Sequence, residues 1–235
     1  MTMNTRIAVT NRTICYELYK QADLANAEDT PLTCLSRQIC ALLNNNSYDK
    51  ILVREKDLSE EEYHAFIADI FSAQHSYLSA TSLTSNIIIH NFPAVAEEFG
   101  TDLHLPFSMF TSVATSDNDL THGSTITFTV TSSDSFRRKY PHIKRIGTSI
   151  HSVEDAVFAE SHGADYITAG HIFTTDCKKG LPGRGIDWLK SICNAVSIPV
   201  YAIGGISDAN VSMLYDCNIS GYCMMSASMK PILSE

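Results

Sequence analysis

The sequence predicts an α/β protein built as a (βα)8 TIM barrel with a shortened or missing final helix. Three observations carry that expectation. Short apolar runs alternate with helical stretches about every 20 to 35 residues, the signature of parallel βα units. Eight such runs occur in one chain, which favours a closed barrel over an open doubly wound sheet. No GxGxxG follows the first run, so a dinucleotide-binding fold has no support. The 235 residues fit one barrel, and 44% hydrophobic content is ordinary for a globular chain. A single domain over 1–235 is expected, with 107–133 as a long polar loop insert.

Taken in order, the strands are expected at Ile7–Thr10, Lys50–Val53, Asn86–His90, Asp102–Leu105, Arg145–Ser149, Tyr166–Ala169, Val200–Ile203 and Gly221–Met224. After the first strand, Tyr16–Thr30 reads as an extended loop. Helices are expected at Leu32–Leu43, Ser59–His75 and Ala94–Phe99. Phe107–Ser133 is rich in Ser, Thr, Asp and Asn around one β-like patch, TITFTV. It reads as a loop on the catalytic face, either a lid or disordered. Ser152 is the expected cap of a helix ending at Gly163, with Asp155 at the capping-box position. Gly185–Val196 places Ile186, Leu189, Ile192 and Cys193 on one helical face. Ser207 and Asp208 are expected to open the last helix. The chain then stops shortly after its last strand, so the seam needs covering by a partner subunit, as in a homodimer, or by the N-terminal extension.

A net charge of −9 argues against nucleic acid or an anionic membrane as the partner, so any phosphate site has to be a local basic pocket. The 7 cysteines have no regular spacing and no CxxC, which suits reduced thiols packed as small apolar residues in a cytoplasmic protein. No apolar run approaches the roughly 20 residues of a membrane helix. No HExxH or comparable cluster suggests a metal, and no cofactor is expected.

The stretch AGHIFTTDCKKGLPGRG, 169–185, joins a strand to a polar, basic, glycine-bearing loop. A barrel builds an anion site with a titratable group beside it in this way. His171 ends that strand, and its imidazole can exchange a proton near neutrality. Gly204 and Gly205 follow a buried strand, where their backbone N–H groups can approach a phosphate closely. Met225 and Ser226 follow the last strand, and barrel phosphate sites typically use the loops after strands seven and eight. Alternation puts Arg54 and Lys56 on one side of the second strand. They suit a carboxylate or phosphate, or else pair internally with Glu55 or Asp57. His90, His104 and His151 also sit at strand ends, either facing the pocket or holding structure.

LVREKDLSEEEY (52–63), GTSIHSVEDAVFAESHGADYITAGHIFTTDCKKGLPGRG (147–185), IPVYAIGGISDANV (198–211) and SGYCMMSA (220–227) together resemble the thiamine phosphate synthase superfamily, and within it the TenI-like thiazole tautomerases. The resemblance implies an inward side for Arg54 and Lys56, and substrate contacts for Thr175 and Lys178 in a T-x-x-K pattern. It relates His104 to the HLG or HLP strand of the family. Cys177 stands where synthases carry Thr or Ser. At the place of His171 the synthases usually have proline, whereas the tautomerases have a proton-moving histidine. The synthases hold magnesium pyrophosphate with aspartates after strands three and four. The corresponding stretches here, IIIHNFPAVAEE and LHLPFSMF, are taken to lack both. The resemblance therefore implies an isomerase: proton transfer by His171 on a small phosphorylated thiazole, giving its aromatic tautomer, with synthase activity disfavoured. The alternatives are a thiamine phosphate synthase, a transferase, or a non-catalytic barrel that binds thiamine intermediates.

Overall fold

The computed structural model describes residues 5–74, 80–115, 132–175 and 180–232. Eight parallel strands close into a barrel in sequence order, with β8 returning to β1. They are β1 (Thr5–Val9), β2 (Lys50–Val53), β3 (Ile87–His90), β4 (Asp102–Leu105), β5 (Ile146–Ile150), β6 (Tyr166–Gly170), β7 (Val200–Ile203) and β8 (Gly221–Met224). All eight expected strands are present, and their ends move by no more than about two residues, the usual uncertainty of boundaries.

Alternation decides what each strand buries. Ile7, Val9, Leu52, Ile88, Tyr166, Tyr201 and Cys223 fill the barrel interior. Their neighbours Ala8, Ile51, Val53, Ile87, Ile89, Ile167 and Ala202 point outward into the layer beneath the helices. Tyr166 fits inside because Gly147 lies against it: a Cβ at 147 would stand 2.1 Å from the ring carbon Cζ. At the closing seam Gly221 approaches β1 so closely that a Cβ there would meet the Thr5 carbonyl oxygen at 2.0 Å.

The helices among the described residues are α1 (Arg12–Gln21), α2 (Pro31–Asn45), α3 (Glu60–Gln74), α4 (Ala80–Asn86), α5 (Pro93–Phe99), α6 (Phe107–Thr115), α7 (Ser132–Lys139), α8 (Val153–Ser161) and α9 (Gly185–Ala195). Four expectations are corrected. Much of the loop expected over Tyr16–Thr30 is α1, which Asn11 caps by accepting the Ile14 N–H; its residues Cys15 and Tyr19 pack inward. The beginning of the expected insert is α6, with Phe110 buried against the core; the TITFTV patch lies outside the described residues. In α8, Ser152 accepts the Asp155 N–H, but Asp155 turns its carboxylate to the His151 N–H instead of closing a capping box. The last expected helix is a 3-10 turn, Val211–Cys217.

No helix follows β8 among the described residues. Instead residues 225–232 fold back as a turn. Ser228 Oγ donates to the carbonyls of Met224 and Met225, and Met229 is fully buried. Gln38, on α2 and itself fully buried, donates through Nε2 to the carbonyls of Ser228 (2.8 Å) and Lys230 (2.7 Å). Tyr19 of α1 donates to its Oε1. The chain's own C-terminal segment thus covers the seam. None of the described helices is long and apolar enough to cross a membrane.

Candidate active site at the barrel mouth

Barrel chemistry sits where the strands end, and a cavity of about 920 Å³ opens there. Of the residues singled out in the sequence, His171, Arg54, Thr175, Gly204, Gly205, Met225 and Ser226 line it. Lys56 and His104 are not part of its lining, and Lys178 and Cys177 lie outside the described residues. The wall also includes Asn11, which caps α1, Ile14 and Leu18 of α1, Ser149 of β5, His151 just after it, and Lys230 beyond β8.

The ends of β6 and β7 form one packed wall. The Ile172 N–H donates to the Ile203 carbonyl (3.2 Å) and the Phe173 N–H to that of Gly204 (2.9 Å), extending the ladder past the strands. Gly204 (φ +110°) and Gly205 (φ +66°) adopt backbone conformations that favour glycine. Space imposes the same requirement, since a Cβ at 205 would come within 2.5 Å of the Thr174 carbonyl oxygen. The Arg184 N–H donates to the His171 carbonyl and the Gly185 N–H to that of Ile172, so Gly183–Gly185 turns the loop into α9 as expected.

His171 has left-handed backbone (φ +64°) and is 7% exposed. Its Nε2 is buried with no hydrogen-bond partner among the described residues. His104 is placed differently from its strand-end expectation. It is the third residue of β4, one layer below the mouth, with Nδ1 3.3 Å from the Tyr166 hydroxyl and Nε2 2.9 Å from Ser149 Oγ. Burial, then His90 and Arg54, push its pKa down to about 3. His90 stacks on it at 6.2 Å and is likewise lowered to about 3, by burial and then by Arg54 and Lys56. Both rings are neutral at physiological pH.

Arg12 engages both carboxylates at the end of β2. Glu55 is buried, accepting from Thr10 Oγ1 (2.7 Å), the Arg12 N–H and Arg12 Nη1. Asp57 receives a two-pronged bond from Arg12 at 2.7 and 2.5 Å. Burial raises the Glu55 pKa against those bonds. Burial and the neighbouring Arg54 lower that of Lys56.

The resemblance gives the synthases, though not the expected isomerase, a magnesium ion. Among the described residues no group of three His, Cys, Asp or Glu side chains is placed to hold a metal. The carboxylates at the end of β2 are engaged by Arg12. Those two carboxylates, held by a guanidinium, do not fit a metal.

Residues 119–228, somewhat less than half of the chain, match the family model described as "Thiamine monophosphate synthase". Two curated relatives are each named "Thiamine-phosphate synthase". That of Clostridium tetani is 46% identical over 83 residues, 35% of this chain and 40% of the relative. That of Pyrococcus horikoshii is 46% identical over 84 residues, 36% and 41%. The chain thus aligns with about two fifths of the length of each. A solved thiamine phosphate pyrophosphorylase from Pyrococcus furiosus superposes with TM-score 0.63 at 21% identity, covering 97% of this chain and 88% of that one, which shows the shared fold.

These findings correct the expected activity. The relatives carry the name of a synthase, a transferase, so the isomerase reading is overturned, and with it the statement that synthase activity is disfavoured. That statement rested on two aspartates missing from 87–98 and 103–110. The family match begins at residue 119, after both stretches, so it does not relate them to the synthases' aspartates. His171 keeps its place in the cavity wall, but its role as the proton carrier of an aromatisation falls with that reaction. Over the matched residues the chain is similar to thiamine phosphate synthases, and the similarity does not distinguish a tautomerase subgroup.

Proposed function

We propose that this protein is a transferase of the thiamine phosphate synthase type, joining a phosphorylated thiazole to a pyrophosphate-activated partner and releasing pyrophosphate. The observation that carries this reading is the composition of one cavity wall. Gly204, Gly205 and Ser226 stand at the ends of β7 and β8, and Arg54 at the end of β2. A reaction with a phosphomonoester on one substrate and a pyrophosphate on the other needs two anion contacts across one cleft. The names of the relatives support the same reaction class.

In this reading the backbone at Gly204, Gly205, Met225 and Ser226 holds the thiazole's phosphate. Glycine there lets N–H groups approach an anion without steric cost. Arg54, with Lys56 behind it, faces the pyrophosphate. As the bond to the leaving group breaks, its electron pair goes to the pyrophosphate oxygen. A guanidinium already in place stabilises that charge without reorganising. Thr175 and Lys178 orient the substrate from the β6 loop. His104 acts at one remove by holding Ser149, a residue of the cavity wall.

Inorganic pyrophosphate and thiamine phosphate, the two products, are expected to raise the melting temperature in a concentration-dependent way, because ligands of the native state stabilise it. Differential scanning fluorimetry tests this. The absence of a shift with either compound contradicts the assignment.

A further inference from the structure

The phosphate-holding wall offers backbone donors, yet a phosphomonoester brings close to two negative charges into a chain of net charge −9. Among the described residues lining the cavity, the only Lys or Arg side chains are Arg54 and Lys230. Arg54 directly follows β2. Lys230 follows Ser226 by four positions and lines the same cavity, whose lining also includes Ala227 and the α1 residues Ile14 and Leu18. No ion pair is formed by Lys230 among the described residues.

The placement of Lys230 is built from elsewhere in the fold. Gln38 reaches across 192 residues of sequence to bond the Lys230 carbonyl, and its second bond fixes Ser228. The Ser228 hydroxyl ties the same turn to the end of β8. A fully buried glutamine with both its Nε2 bonds on this turn, and its Oε1 held by Tyr19, gives the backbone of a coil segment a defined position. Lysine's flexible stem then carries a compact charge to the cavity.

The geometry points to Lys230 as a binding residue for the phosphomonoester dianion, with Gln38 as its positioning residue. The turn over 225–232 that follows β8 is therefore part of the site. This inference rests on the function proposed above and adds to it the cation of the phosphate subsite. Calorimetric titration with inorganic phosphate at low ionic strength tests it. Lys230→Met is expected to weaken binding at least tenfold with an unchanged melting temperature, and Lys230→Arg to restore most of it. Lys190→Met, an exposed lysine of α9 outside the cavity, is expected to change nothing. Gln38→Met is expected to weaken binding in the same direction as Lys230→Met. Unchanged phosphate affinity in Lys230→Met overturns the inference, as does equal weakening in Lys190→Met. Failure of the wild type to bind inorganic phosphate or pyrophosphate contradicts the proposed function itself, whatever the variants do.

Discussion

The backbone of Gly204 lies so close to that of His171 that a Cβ at 204 would stand 2.7 Å from the His171 Cα. Two adjacent strands thus end in loops that touch backbone to backbone, and both loops line the cavity. Gly204→Ala combines a φ of +110° with a clash against main chain, which cannot swing aside as a flexible side chain would. Left-handed backbone in a non-glycine residue costs about 1–2 kcal/mol, and the clash adds to it. The variant is expected to lose at least about 2 kcal/mol in urea unfolding and to bind phosphate more weakly. Gly185→Ala, with φ +82° and nothing within 4 Å of the added carbon, is expected to lose about 1 kcal/mol.

The neutral pair His90 and His104 sets an acid sensitivity. Their pKa values stand at about 3 in the folded chain against an ordinary 6.5. Between those limits the unfolded chain binds more protons than the folded one. The stabilisation is therefore fully present above pH 6.5 and is lost as pH falls toward 3. Each ring contributes at most about 1.4 kcal/mol per pH unit in that window. Urea unfolding at a series of pH values is expected to show this decline, with a shallower slope in His104→Asn. An identical slope in that variant contradicts the placement of His104.

At the opposite end of the barrel, Asp102 is 2% exposed and receives Lys50 Nζ (2.9 Å) and Arg145 Nη2 (2.7 Å). Asp102→Asn leaves two cations without their counter-charge. Removing one partner of a buried pair costs about 3–5 kcal/mol, and the partial exposure of both cations puts the expected loss near the lower end, about 3 kcal/mol. Lys20→Ala, which breaks the exposed pair with Glu17, is expected to leave the unfolding midpoint essentially unchanged. Chemical denaturation of both variants checks the contrast.

Several strands could be read from sequence because they are runs of β-branched and apolar residues buried on both faces, as in Ile87–Ile89 or Val200–Ile203. Gly204 and Gly205 could be found because a steric requirement leaves a compositional mark. Helix α1 was missed although its signals were present: Asn11 as cap, then Ile14, Cys15, Leu18 and Tyr19 at helical spacing. His104 was assigned to the pocket on its nearness to a strand end, and one step of strand depth separates that expectation from its buried position. The hold of Gln38 on Lys230 and the capture of Glu55 and Asp57 by Arg12 are contacts between distant segments. No local pattern encodes them. The activity was misassigned because the weight fell on one residue, His171, and on two stretches outside the family match.

The most direct test of the central claim is formation of thiamine phosphate, with stoichiometric release of pyrophosphate, from a phosphorylated thiazole and its pyrophosphate-activated partner. The wild type is expected to turn over and Arg54→Met to lose at least about 100-fold in kcat/KM, the scale of one charged contact to a transition state. A folded wild type that releases no pyrophosphate and forms no thiamine phosphate contradicts the assignment.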